Sequence, residues 1–195
     1  MKDLAKDYYK EIKKLLESVK VTEKDGRKIE FYEGIAISAS LIKERTASGN
    51  KLIFIGNGAS AAISSHQSTD FWKNGGMRAI AFNDSSLLTC ISNDFGYKHV
   101  FEKPIEMFAY SGDLLIAISS SGGSENIILG VNMARSKGVE VITLSGFKED
   151  NPLRQLGNIN FYVPSSCYGH VEVIHESISH CILDIIIQKD RRQNK

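Results

Sequence analysis

The period of the apolar positions changes near residue 51 and divides the chain into two regimes. Over residues 2–20, Leu4, Tyr8, Ile12, Leu15, Leu16 and Val19 recur close to every 3.6 positions with lysines between them, which predicts an amphipathic helix. A turn at Asp25-Gly26 follows. A second helical run then extends from about Lys28 to Ser48, with Gly49-Asn50 as its C-terminal stop. From residue 51 short β-rich runs alternate with helical ones. Strands are expected at 52–55, 79–82, 114–118, 139–144 and 159–163, and helices at 60–72, 85–92, 98–109, 124–137 and about 171–189. Strands that are apolar throughout and separated by helices belong in a parallel sheet covered on both faces. The expected fold is α/β, a doubly wound five-stranded parallel sheet, in one domain over 1–195 whose residues 1–50 form an N-terminal helical extension. Those leading helices either cap the sheet or pack on another chain. The basic end, Lys189 to Lys195, reads as a frayed terminus.

Composition narrows the partners. The chain carries 24 Lys and Arg against 23 Asp and Glu, a net charge of +1, which gives no support to nucleic acid or an anionic membrane surface. No apolar run approaches the ~18 residues of a membrane span. The N-terminus, Met-Lys-Asp-Leu-Ala-Lys-Asp-Tyr-Tyr, lacks the apolar core of a signal peptide. Cys90, Cys167 and Cys181 follow neither disulfide-framework nor zinc-finger spacing. The expected setting is a reducing cytoplasm.

Two strands run into turns of small residues that open helices. The first is Lys51-Leu-Ile-Phe-Ile, then Gly56-Asn57-Gly58-Ala59-Ser60. The second is Leu114-Leu-Ile-Ala-Ile, then Ser119-Ser120-Ser121-Gly122-Gly123-Ser124. In an open α/β sheet both lie at the carboxyl edge, where ligands bind. Helix N-termini there aim N–H groups and positive dipole ends at one point, and a hydroxyl cluster adds donors for a phosphate monoester where no Lys or Arg is present. Tight turns and caps account for either loop alone, and Ser124 also fits an N-cap. Gly56-x-Gly58-x-x-Ala61 matches a relaxed dinucleotide fingerprint, yet the next strand ends in Asn83-Asp84 without a clear ribose clamp, so no nucleotide cofactor is expected. Neither loop holds the Gly-Lys-Ser/Thr of a Walker A sequence.

Polar clusters follow on helices. His66 and Asp70 are four apart and share a helix face, about 6 Å apart in axial rise. The last helix carries Glu172, His175, Glu176 and His180. Its histidines are five apart, roughly 140° around the helix, and cannot form the ligand pair of a zinc protease. Glu176 and His180 suit a structural i,i+4 pair. Glu172 and His180 lie about 12 Å apart along an unbroken helix. They meet only if they come from different chains or if Glu172 precedes the helix, an option that Gly169 leaves open. Asn93-Asp94-Phe-Gly96 reads first as a turn whose polar side chains can reach a sugar hydroxyl.

Taken together, the turn at 56–60, the Asn93-Asp94-Phe-Gly-Tyr segment, the loop 119–124 and the late Glu-x-x-His-x-x-x-x-His resemble the sugar isomerase (SIS) family. The nearest likeness is to members that interconvert sedoheptulose 7-phosphate and a glycero-manno-heptose 7-phosphate. It covers nearly the whole chain and implies a flavodoxin-like sheet. It further implies substrate contacts at Asn57, Gly58, Ala59, Ser60, Asn93, Asp94, Ser119, Ser120, Ser121, Ser124 and Glu172, with acid/base positions at Asp70 and His180. His66, Asp70, Glu172 and His180 fall where metal-binding members hold one divalent ion per subunit, usually zinc. The resemblance also implies a homotetramer with active sites at subunit interfaces. This chain departs in having Asp70 where glutamate is usual and Glu172 where glutamine is usual. It also has Ala59 for a glycine, and Ser-Ser-Ser-Gly-Gly-Ser for the commoner Ser-Thr-Ser-Gly-Asn-Ser. The first change shortens a reacting arm by about 1.5 Å, and ~1 Å of misplacement can cost ~10²-fold in rate. Rival readings are an isomerase for another sugar phosphate, a non-catalytic SIS domain that binds a sugar phosphate or a protein, and an NAD dehydrogenase.

Overall fold

The computed structural model describes residues 1–193. In chain order the elements are α1 (Lys2–Glu17), β1 (Lys20–Glu23), β2 (Lys28–Ile29), α2 (Phe31–Ala47), β3 (Leu52–Gly56), α3 (Ala59–Lys73), β4 (Ala79–Ala81), α4 (Ser85–Phe95), α5 (Glu102–Phe108), β5 (Leu114–Ser119), α6 (Glu125–Ser136), β6 (Glu140–Ser145), β7 (Ile159–Tyr162) and α7 (Tyr168–Gln193). The strands form one sheet in the order β2-β1-β7-β6-β5-β3-β4. The five strands β3 to β7 are parallel, at nearly the expected positions.

Two further strands come from the segment expected to be turn and helix start. β1 pairs antiparallel with both β2 and β7, so a hairpin extends the parallel sheet to seven strands. Lys20-Val-Thr-Glu is too short for a period to assert itself. It becomes a strand because β7 presents a free edge, against which Val21 and Thr22 are buried. Helix α2 accordingly begins at Phe31, where Glu30 caps it by accepting the Glu33 N–H at 3.0 Å. Two other boundaries moved. The stretch 98–109 divides into a short 3-10 turn at Tyr97–His99 and α5. Helix α4 runs on to Phe95, so Asn93 and Asp94 lie on a helix rather than in a turn, which Gly96 ends at φ 92°. The expected frayed terminus is helical as far as Gln193, and its last two residues lie outside the described residues.

Alternation along the strands serves two cores. Leu52, Phe54, Leu114, Ile116 and Ile118 face α2, α3 and α7, where Ile42, Ile63, Phe71, Ile178 and Ile182 meet them. Ile53, Ile55, Leu115 and Ala117 face the opposite layer, against Ile105 of α5 and Ile127 and Val131 of α6. Burying each such aliphatic or aromatic side chain contributes about 1.5–3 kcal/mol, enough to hold helices on both faces. The chain steps from β3 to β4 on one side and then crosses to β5 on the other. Helices α3 and α6 therefore leave the carboxyl ends of adjacent strands on opposite faces, which opens a crevice between them.

Asp113 ties the other ends of these strands. It is 2% exposed, accepts the Lys51 and Tyr110 backbone N–H groups at 2.9 and 2.8 Å, and pairs with the Lys51 ammonium at 2.5 Å. Removing it leaves a largely buried cation and two backbone donors unpaired. Asp113→Ala is therefore expected to lower unfolding free energy by about 3 kcal/mol, read as a lower urea midpoint at unchanged slope.

Candidate functional site

The crevice is lined by the two loops the sequence pointed to. In the β3–α3 turn a Cβ on Gly56 would lie 2.4 Å from the Ser60 carbonyl oxygen, so only glycine allows the chain to fold back this tightly. Gly58 follows at φ 56°, ψ −123°, and α3 starts without a side-chain cap. In the β5–α6 loop Gly122 has φ 63°, and a Cβ there would meet the Asn151 side chain at 1.9 Å. Ser124 does occupy the N-cap position of α6, but it makes no capping hydrogen bond; its Oγ stands 3.5 Å from Ser119 Oγ instead. Helices α2 and α4 each use a carboxylate as cap, whereas the first two N–H groups of α3 (Ala59, Ser60) and of α6 (Glu125, Asn126) make no hydrogen bond among the described residues. Ser119, Ser120 and Ser60 are buried at its floor, and Ser120 Oγ has no partner.

An amide pair, Asn126 buried and Asn57 half-buried, joins the loops. Asn57 Nδ2 donates to Asn126 Oδ1 at 2.9 Å, and Asn126 Nδ2 donates back to Asn57 Oδ1 at 2.8 Å. Asn126 Oδ1 also accepts the Ile127 N–H, and the Tyr97 hydroxyl donates to Asn57 Oδ1 at 3.1 Å. Both carbonyl oxygens are saturated, so the Asn57 side chain serves the scaffold and its backbone serves the crevice. Tyr97 also carries the end of α4 toward this loop, together with the exposed Asn93 and Asp94, whose side chains bond each other at 2.9 Å.

A second group of polar side chains lies between α3 and α7. His66 Nε2 is 3.4 Å from Asp70 Oδ2, and His180 Nδ1 is 3.9 Å from the same oxygen. The imidazole centroids are 5.4 Å apart. Donor atoms of His66, Asp70 and His180 all fall within 4.8 Å of one another. A tetrahedral ion with ~2.1 Å bonds needs ligands about 3.4 Å apart, so a modest side-chain closure suffices. Two imidazoles and a carboxylate have the chemistry of a zinc-type site.

Glu172 does not join this group. It lies inside α7, which begins at Tyr168, and two helical turns separate it from His180. The glutamate beside the cluster is Glu176, whose Oε1 is 3.0 Å from His180 Nε2 and 3.8 Å from His66 Nε2. His175 points the other way. It is fully buried, with Nε2 against the Ser145 carbonyl at 3.1 Å and Nδ1 unpartnered.

The sequence reading missed Asn126, Tyr97 and Gln67. Asn126 and Gln67 are amides at fully packed helix positions, a signal that only burial reveals. The crevice and the histidine cluster share α3. Its rise from Ser60 to His66 is about 9 Å.

The SIS domain family model matches residues 7–146. A phosphoheptose isomerase of Sodalis glossinidius is 35% identical over 186 residues, covering 92% of this chain and 93% of that protein. One of Aliarcobacter butzleri is 36% identical over 162 residues, covering 80% and 85%. Among solved structures, a phosphoheptose isomerase from Neisseria gonorrhoeae has a TM-score of 0.84 at 25% identity, covering 95% of this chain and 97% of that one. Another from Francisella tularensis has 0.83 at 27% identity with the same coverage.

Burial holds the pKa of His175 down at about 4, from 6.5. Between these values the unfolded chain binds a proton that the folded chain does not, so stability falls as pH drops from 6.5 toward 4. The loss reaches roughly 3 kcal/mol at pH 4 by the difference in pKa. Denaturant unfolding of His175→Gln beside the native chain, at pH 7 and pH 4.5, is expected to show a shallower pH slope in the variant.

Proposed function

The chain belongs to the SIS domain family, and from that premise we propose that it is a phosphoheptose isomerase, converting D-sedoheptulose 7-phosphate to D-glycero-D-manno-heptose 7-phosphate. The observation that carries this reading is one helix bearing both parts: α3 opens at an uncapped N-terminus in the crevice and presents His66 and Asp70 further along, facing His180. An aldose–ketose conversion through an enediol needs one proton moved between C1 and C2 and another between their oxygens. Asp70 transfers the carbon-bound proton and His180 serves the oxygens. The phosphate sits in the cradle of Asn57–Ser60 and Ser119–Ser124. Binding energy gained there, remote from the reacting carbons, positions C1 and C2 against Asp70 and His180. Asn93 and Asp94 lie on the side of the crevice where sugar hydroxyls pass.

His66, Asp70 and His180 fit one divalent ion per subunit, and when bound it supplies a Lewis acid that polarises the carbonyl. The proposed assembly is a homotetramer with active sites at subunit interfaces. In support, Leu15 is the only buried residue of α1, while Leu4 and Tyr9 are 69% and 70% exposed. In such an assembly Glu172 contributes to a neighbouring subunit's site, which resolves its distance from His180. The whole chain then acts as a single cytoplasmic SIS domain; no helix among the described residues is long and apolar enough to cross a membrane. The shorter arm at Asp70 favours, as a second reading, turnover of a different ketose phosphate.

Incubation with sedoheptulose 7-phosphate in deuterated water is expected to yield aldose carrying deuterium at C2. Absence of turnover with and without zinc overturns the main reading, and turnover of another ketose phosphate alone selects the second. Asp70→Asn is expected to lower kcat by about 10²–10⁴-fold with little change in KM. Survival of full activity in that variant would remove Asp70 from its role. Chelator dialysis is expected to lower activity, and zinc to restore it; an enzyme indifferent to both holds no functional metal.

A further inference from the structure

Glu176 has no role in the chemistry above, yet its surroundings are built. Its Oε1 accepts from Gln67 Nε2 at 2.9 Å, and His180 Nε2 stands 3.0 Å from it as an ion-pair contact. Gln67 is 0% exposed, packed between α3 and α7, and among the described residues its side chain makes that bond alone, with its buried Oε1 unpartnered. A buried carbonyl without a partner is unfavourable, so leucine or methionine would serve the packing better. What the amide provides in return is a fixed seat for the Glu176 carboxylate.

We propose that Glu176 is a positioning residue, held by Gln67, that accepts the Nε2–H of His180 and thereby keeps the Nδ1 lone pair bare toward Asp70. The inference rests on the isomerase reading only for what the bare nitrogen does next. An ionised carboxylate has no proton to donate, so a partner at His180 Nε2 selects the Nε2–H tautomer. Nδ1 and Asp70 Oδ2 then face each other at 3.9 Å as two acceptors. Such a pair attracts a shared proton donor or a cation, which is what a substrate hydroxyl or a divalent ion supplies. A carboxylate behind a ligating imidazole also raises its basicity and fixes its plane, and loss of such a partner typically costs 10–100-fold in metal affinity or activity.

The test reads the tautomer directly, by nitrogen-15 spectra of the imidazoles in chelator-treated protein, well above the ordinary imidazole pKa of ~6.5. His180 is expected as the Nε2–H form; an Nδ1–H form in the native chain overturns the proposal without any variant. Glu176→Leu is expected to lose that preference and to bind zinc 10–100-fold more weakly in competition with a chelator. Glu176→Gln, whose amide oxygen still accepts, is expected to keep the tautomer and most of the affinity. Gln67→Leu, which frees the carboxylate, is expected to fall between them. Should Glu176→Leu not fold, the native spectrum and the Gln67→Leu and Glu176→Gln affinities decide. Unchanged spectra and zinc affinity in Glu176→Leu or Gln67→Leu refute it. A chain with the expected tautomer that turns over no sugar phosphate refutes the isomerase reading and leaves this one standing.

Discussion

The parallel pairing of β3 with β5 is the constraint on which the rest depends. It sets Gly56 opposite Ile118 and brings both strand ends to the same edge. The two connections then leave on opposite faces, because α3 packs on one core and α6 on the other. Two helix N-termini that are far apart in sequence thus share one crevice. Neither is closed by a side-chain cap. Uncapped N–H groups are a liability in a folded chain unless solvent or a ligand meets them, and an anion meets them well. The Asn57–Asn126 amide pair keeps the loops in register, so the cradle is preorganised.

The polar cluster between α3 and α7 is placed by packing rather than by loops. Ile63 and Phe71 seat α3 on the sheet, and Ile174, Ile178 and Ile182 seat α7 beside it. His66, Asp70, Glu176 and His180 project from the seam between these helices. Side chains on rigid helices hold their positions more closely than side chains on loops. The same seam carries Gln67, whose buried carbonyl oxygen has no partner among the described residues. Function and stability pull apart most clearly there.

Much of the architecture was legible in the sequence. All five parallel strands and the helices between them announced themselves through long apolar runs and 3.6-residue periods. The hairpin of β1 and β2 did not. A four-residue strand paired with a two-residue one has no period of its own and exists because β7 offers an edge. The helical placing of Asn93 and Asp94 was likewise decided by the packing of α4 against neighbouring turns, not by their own turn-forming preference.

By itself the sequence determined the doubly wound sheet, the two small-residue turns that open α3 and α6, and the His66–Asp70 pair, because each is local: strand, glycine turn and one helix face are properties of a few consecutive residues. Family resemblance supplied His180 as their partner. Helix spacing likewise set Glu176, four positions away, beside His180, whereas only the tertiary structure decided that Gln67 seats Glu176 and that Asn126 and Tyr97 lock Asn57. Those contacts join residues 40 to 109 positions apart. No local pattern encodes such a contact, since it depends on how helices rotate and settle when their apolar faces are buried.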